Sequence, residues 1–284
     1  MKNDRRHFLL GAGALLAGAV LPARGAAAEL ELQQAGALRI AVYADFPPWS
    51  AKGKGIDIAL GRALAEKLAL RAEFVEMPAD EDMNDDLRNM VWRGHYLGTR
   101  PGDVMLHVPI DVNLAARNDK VSIFGPYHLE TMAIARNSAR VPKIAGSAAN
   151  AFEVFTREKI GAELDTHGSD FLLHILNGRL RDNVSHYRSI VLAAEALKAG
   201  EIAAVIGTRT ELEVTLGGAP GVLIDSLQMP ELRVTGWPLG MAVKAENTVL
   251  ATALGNALGE LQRAGELARI FADHGTVHRT PGGN

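Results

Sequence analysis

Two features of the chain predict an α/β fold. Apolar residues recur with period two and then with period near 3.6 in alternating blocks from residue 38 onward, and they make up 48% of a sequence that contains no cysteine. The missing cysteines exclude disulfides, thiolate catalysis, iron–sulfur clusters and cysteine-ligated zinc, so stability has to come from an apolar core.

The first element is an export signal. Asp4-Arg5-Arg6-His7-Phe8-Leu9-Leu10, an apolar run to Leu21 and the small residues Ala26-Ala27-Ala28 form a leader of the twin-arginine kind. The run is shorter than the ~20 residues that span a bilayer, which predicts cleavage after Ala28 and a periplasmic product. Residues 1–28 hold four basic and one acidic residue, which leaves 256 residues with 26 basic and 32 acidic side chains and a formal charge of −6. With no basic run, nucleic acid and anionic membrane surfaces are poor partners. The length suits two modest domains or one large one.

Residues 38–42 alternate as a strand that breaks at Asp45-Phe46-Pro47-Pro48-Trp49. Ile56, Ala59, Leu60, Ala63, Leu64 and Leu68 then mark a helix over 56–70, introduced by Gly55. Residues 71–77 return to period two, completing strand–helix–strand and predicting a parallel crossover. A helix is expected over 85–92, a glycine-rich loop to Gly102 and a strand over 103–108. Strands follow at 131–135 and 159–164. A helix over 170–176 stops at Asn177-Gly178, and another over 192–199 is closed by Gly200. Residues 203–207 and 239–243 read as buried strands, and 248–271 as one closing helix with Leu250, Leu254, Leu258, Leu261, Leu267 and Ile270 on one face.

The order of these motifs resembles the periplasmic solute-binding proteins of the polar-amino-acid type, extracellular solute-binding protein family 3. The resemblance rests on the strand into Asp45-Phe46-Pro47-Pro48-Trp49, the helix start Gly55-Ile56-Asp57-Ile58, and Gly102-Asp103-Val104. It rests further on the stretch from Arg117 to Pro126-Tyr127, and on the helix and strand over 196–205 with the closing helix. It implies a type II two-lobed fold, each lobe a mostly parallel sheet flanked by helices, with two crossover strands at the hinge. Lobe one would comprise residues 30–129 and 238–284, and lobe two 130–237. It also implies a monomer that closes on a small molecule without converting it and delivers it to the permease of an ABC-type importer.

The same resemblance points to ligand-binding positions. Phe46 and Trp49 stand where an aromatic ring stacks on the ligand, with Asp45 beside them as acceptor or turn cap. Arg117 lies nine residues before Pro126, as does the family's carboxylate-binding arginine, whose fork suits two parallel charge-assisted bonds. The threonine-rich strand that precedes that arginine is replaced here by His107-Val108-Pro109-Ile110-Asp111-Val112-Asn113-Leu114. In lobe two, Thr166 and Ser169 flank a helix start, where free N–H groups either seat an anion or are simply capped. Thr208 takes the place of the aspartate that receives an α-ammonium, so a neutral or anionic ligand is expected in place of a standard amino acid.

Two other readings compete. Gly94-His95-Tyr96-Leu97-Gly98 and His107 to Asp111 look like an insertion at the cleft mouth, similar to binding-protein-like partners of periplasmic quinoprotein dehydrogenases. A lyase on the same fold would use Glu163, Asp165 or His167 as general acid. His95, His107, His128 and Asp111 are capable of ligating metal but lack the spacing of a metal motif, and no cofactor motif or G-x-S-x-G elbow is present.

Overall fold

The computed structural model describes residues 30–282 apart from 228 and 230; the export signal and the cleavage position expected after Ala28 lie outside the described residues. The chain opens with β1 (Ala37–Tyr43), α1 (Ile56–Lys67) and β2 (Arg71–Met77), with β2 parallel to β1 from Ala37 opposite Arg71 to Tyr43 opposite Met77. The sequence dictates this unit directly. Leu38, Ile40 and Val42 point to one face, against Ile56, Leu60 and Leu64 of α1, while Ala41 and Tyr43 point to the other. Gly55 is obligatory before α1, because its φ is 124° and a Cβ there would collide with the carbonyl of Trp49.

α2 (Met83–Leu87) is capped by Asp82 and runs on into a wider turn over Arg88–Trp92, followed by β3 (Val104–Pro109) and α3 (Val112–Arg117), capped by Asp111. β4 (Val121–Asn137) is the structural axis. Its residues 121–131 pair antiparallel with β9 (Gly236–Lys244), and from Met132 onward it pairs with β7 (Ala204–Thr208) and β8 (Val222–Ser226). One strand therefore belongs to two sheets of different orientation. The second sheet also holds β5 (Ile160–Glu163) and β6 (Val184–Tyr187), both parallel in the order β7-β5-β6. Among the described residues the strand order is β2-β1-β3-β9-β4-β7-β5-β6, with β8 on β4.

The helices of the second lobe are α4 (Ala148–Ala151), α5 (His167–His174), α6 (Ile190–Lys198) and α7 (Arg209–Leu216). After β8 the chain re-enters the first sheet as β9 and continues into α8 (Thr248–Arg263) and α9 (Glu266–Asp273), which cover the first sheet beside α1. We use lobe one for the first sheet with its helices, that is β1–β3, β9, the first part of β4 and α1–α3, α8 and α9, and lobe two for the second sheet with the rest. Both cores are double-sided: Phe152, Phe155, Phe171 and Leu172 pack one face of the second sheet, Ile190, Ala193, Leu197 and Leu212 the other. Among the described residues no helix is long and apolar enough to cross a membrane.

Four expectations are corrected. The closing helix breaks at Gly265, which takes φ 69° between α8 and α9. The helix expected from residue 170 starts three residues earlier, at His167. The helix expected over 56–70 ends at Lys67, and the strand expected at 131–135 is the later part of β4, which contains Gly125 and Pro126 where the register against β9 shifts between Phe124 and His128.

Candidate functional site

Two adjoining cavities lie between the lobes. The smaller, about 320 Å³, is lined from lobe two by Met132, Glu163, Asp165, Thr166, His167, Asp170, Ile190, Ile206, Gly207, Thr208 and Glu211, and closed by Phe46 and Trp237. The larger, about 620 Å³, is lined mainly from lobe one by Tyr43, Ala44, Asp45, Phe46, Ala79, Met83, His107, Pro109 and Asp111. Phe46, His167 and Trp237 line both, so the two form one cleft.

The first cleft loop folds back on itself. The Phe46 N–H donates to the Ser50 carbonyl at 2.7 Å, and the Ser50 hydroxyl donates to the Tyr43 carbonyl at 2.6 Å. This turn puts the two aromatic residues on opposite sides. Phe46 remains half-buried on the cleft wall, edge-on to His107 at 5.1 Å. Trp49 turns inward: it is 1% exposed, packs with the Leu38, Ile40 and Phe271 cluster, and lines neither cavity. Asp45, at φ 51°, is exposed on the rim of the larger cavity.

His107 sits where β3 bulges against β9, with φ 63°, a left-handed conformation that a non-glycine residue adopts only when its surroundings hold it there. They do. Buried Asp57 accepts from the Tyr127 hydroxyl at 3.0 Å and faces His107 Nδ1 at 3.2 Å, while the Tyr127 oxygen accepts from the His107 N–H at 3.0 Å. Trp49 packs edge-on against the imidazole at 4.4 Å. His107 thus presents a fixed ring to the cleft. Asp57 also lies in the first turn of α1, where the helix dipole favours its charge.

In lobe two the ends of β5, β6 and β7 lead into three helix N-termini at the smaller cavity, each with a carboxyl group of the chain in or beside its first turn. Glu163 accepts from the Ile190 N–H at the head of α6 at 3.0 Å, and burial pushes its pKa up. Asp170 stands in the first turn of α5, whose cap is Thr166, accepting from the Ser169 N–H at 3.2 Å. Glu211 stands in the first turn of α7, where the Thr208 hydroxyl donates to Oε2 at 2.5 Å. Burial pushes the Glu211 carboxyl up to about 8, against the opposing effect of the Thr208 hydrogen bond; nearby Glu163 and Glu130 push it the same way as burial. Among the described residues no lysine or arginine lines either cavity.

The site residues predicted from sequence therefore divide. Phe46, Thr166 and Thr208 share the smaller cavity and Asp45 borders the larger. Ser169 is 4% exposed beneath the wall, its hydroxyl 2.9 Å from His186 Nε2. Arg117 ends α3 exposed to solvent, away from both cavities, because the 107–117 segment forms a bulge and a helix in place of a straight strand. At the helix starts the Ser169 N–H is taken by Thr166, the Ile190 N–H by Glu163 and the Thr210 N–H by Glu130. His95, His107, His128 and Asp111 do not converge: among the described residues no three metal-capable side chains are placed to hold an ion. Sequence reading missed Glu211 and Trp237, and placed His107 only at the cleft mouth, whereas it lines the larger cavity. For Glu211 a signal existed: Thr208-Arg209-Thr210-Glu211 directly after a strand is the T-x-x-E spacing of a capping box.

Behind the cleft, the crossover strand carries buried polar groups. Glu130 Oε1 accepts from the Thr210 N–H at 3.3 Å, and His128 Nε2 lies 3.2 Å from the Thr210 hydroxyl. Burial lowers the His128 pKa to about 3, so it is neutral, and raises that of Glu130. The C-terminal segment straps this hinge: the Leu129 N–H donates to the Arg279 carbonyl at 2.8 Å, and Arg279 and Thr276 both reach Glu213 on α7.

No family model and no curated protein matches the sequence. Solved structures do match the fold. An ancestral cationic amino-acid solute-binding protein superposes with TM-score 0.64 at 21% identity, over 85% of this chain and 96% of that one. The GluR0 ligand-binding core in complex with L-glutamate gives 0.59 at 17%, over 84% and 98%. The substrate-binding protein of an amino-acid ABC transporter gives 0.53 at 19%, over 84% and 98%. The chain has the two-lobed fold of these binding proteins.

Proposed function

We propose that the chain is an exported periplasmic receptor that takes a small organic solute into the cleft, closes on it by rotation of the lobes, and passes it unconverted to an ABC-type importer. The carrying observation is the continuous cleft with walls from both lobes, since only a ligand touching both sides gains more in the closed form than in the open one. β4, which pairs with β9 in one lobe and β7 in the other, and the entry into β9 supply the hinge in this reading. Phe46, Thr166, Thr208 and Glu211 make the contacts in this reading, and Asp45 approaches the ligand at the rim. Arg117, Trp49 and Ser169 do not touch it.

A thermal-shift screen of the purified mature chain against amines, amino acids, carboxylic acids, alcohols and metal ions tests the reading. A solute present at about 100 times its Kd stabilises the folded state by ~2.7 kcal/mol, a shift that is easily measured. A solute that binds stoichiometrically and is recovered intact supports the receptor. Conversion of the bound compound would instead favour the lyase reading, to which the raised Glu163 and Glu211 groups give chemical substance. No shift with any solute, together with a stable complex with a quinoprotein dehydrogenase, would make the chain that enzyme's partner.

A further inference from the structure

We propose that the solute is an apolar amine without a carboxylate: its protonated amino group sits against Glu211 beside Thr208, and its aromatic or alkyl body lies along Phe46, Met83 and Trp237. This rests on the receptor reading above and names the ligand class of the same cleft.

Charge decides the polar end. Glu163, Asp165, Asp170 and Glu211 line the smaller cavity, and Asp45 and Asp111 the larger, with no lysine or arginine on either wall among the described residues; Arg233 lines a neighbouring cavity of lobe two that shares His167 and Asp170 with the smaller one. A ligand carboxylate buried here would meet carboxyl groups and no cation, a costly arrangement. His107 does not reverse this balance, because its Nδ1 is turned to buried Asp57. At the helix N-termini that could draw an anion, Glu163 accepts from the head of α6 and Glu130 from that of α7, and Asp170 and Glu211 place further carboxyl groups in the first turns of α5 and α7. An ammonium offsets part of this acidic wall, whereas a carboxylate adds to it.

Shape decides the other end. The larger cavity presents the rings of Tyr43, Phe46 and Trp237 with Met83, Pro109 and Val234, a surface suited to an aromatic or alkyl body. Phe46 and Trp237 border both cavities, so one molecule can place its amino group in the acidic part and its body in the apolar part.

The ion pair has a proton signature. Glu211 is surrounded by Glu163 on β5 and Glu130 on β4, with Asp165, His167 and Asp170 on the same cavity wall; on its own helix Arg209 is engaged by Glu213. With the carboxyl titrating near 8 in the empty cleft, an arriving ammonium must displace its proton at pH 7.

Isothermal titration of the mature chain with 2-phenylethylamine, L-phenylalanine, 3-phenylpropionate and 2-phenylethanol provides the test. The amine should bind one to one, roughly tenfold or more tighter than the other three, a gap of about 1.4 kcal/mol per decade. Its binding should release close to one proton at pH 7, read from heats in buffers of different ionisation enthalpy, and tighten from pH 6 to pH 8. Glu211→Gln should abolish the proton release and lower amine affinity roughly tenfold; the pH dependence of the unaltered protein decides the matter should that variant not fold. Equal binding of phenylalanine, or preferred binding of phenylpropionate, overturns the assignment. If none of the four binds but another solute from the thermal screen does, the amine class falls and the receptor stands; if no solute binds at all, the receptor reading falls as well.

Discussion

Lobe one brings to the cleft Tyr43, Phe46, Met83 and Pro109, with His107 locked from behind by Asp57, Tyr127 and Trp49, whereas lobe two brings Glu163, Asp165, Asp170 and Glu211 at three helix starts. The first surface is apolar and over-determined by packing; the second is charged and built from helix termini. Their difference separates two tasks. In the proposed reading, lobe one selects shape, because changing a wall residue there disturbs a packed core, and lobe two selects charge, because its carboxyl groups can be altered within their caps.

The strongest way to break this comparison is Trp49→Ala. As a core residue of lobe one, Trp49 should cost about 3–5 kcal/mol when truncated, seen as a large drop in denaturant midpoint. A ligand-stacking Trp49 would instead leave stability nearly unchanged and abolish binding.

The next effect lies in lobe two and depends on pH. Glu211 keeps its proton in the fold up to about 8 while the unfolded chain loses it near 4.5, so its contribution to stability falls as pH rises across that window. In the ligand-free protein Glu211→Gln should therefore gain Tm over the parent progressively from pH 5 to pH 8. At the hinge His128 acts oppositely: with its pKa lowered from 6.5 to about 3, the unfolded chain takes up the proton first, and stability is lost as pH falls through that range. Parallel Tm profiles for Glu211→Gln and parent would mean that the carboxyl is solvated and that lobe two holds no special charge.

A smaller effect is expected at the α5 cap. Thr166→Ala removes the acceptor of the Ser169 N–H and should cost about 1 kcal/mol, roughly 2–4 °C in Tm for a chain of this size. The smallest is Arg117→Ala. At an exposed helix end it should change stability by less than ~0.5 kcal/mol and leave affinity for any bound solute unaltered; a lost acidic ligand would return Arg117 to the site.

How much of this could be read from the sequence follows the same division. In lobe one the period-two and period-3.6 runs at 38–42, 56–70 and 71–77 predicted β1, α1 and β2 because each buries one regular face. Trp49 was misjudged because burial there depends on the turn that Ser50 and Phe46 close, and no periodicity encodes it. β4 was only partly legible, since Gly125 and Pro126 signal a break that pairing with β9 overrides through a register shift. In lobe two α7 was missed because Arg209-Thr210-Glu211-Leu212-Glu213 reads as a solvated face, although Thr210 and Glu211 are buried against the hinge and cleft. Charge burial of that kind is a tertiary property; only the capping spacing at 208–211 hinted at it.

The central claim, closure of two lobes around a solute, can be measured directly because the chain contains no cysteine to interfere with labelling. Val112 follows Asp111 on the lobe-one rim and Leu192 stands on α6 two residues past Ile190 on the lobe-two wall, both with exposed side chains. With spin labels on cysteines at these two positions, the distance distribution should shift to a single narrower population when a binding solute is added, and return when it is dialysed away. A distribution that stays the same with a solute bound at saturation would contradict the account.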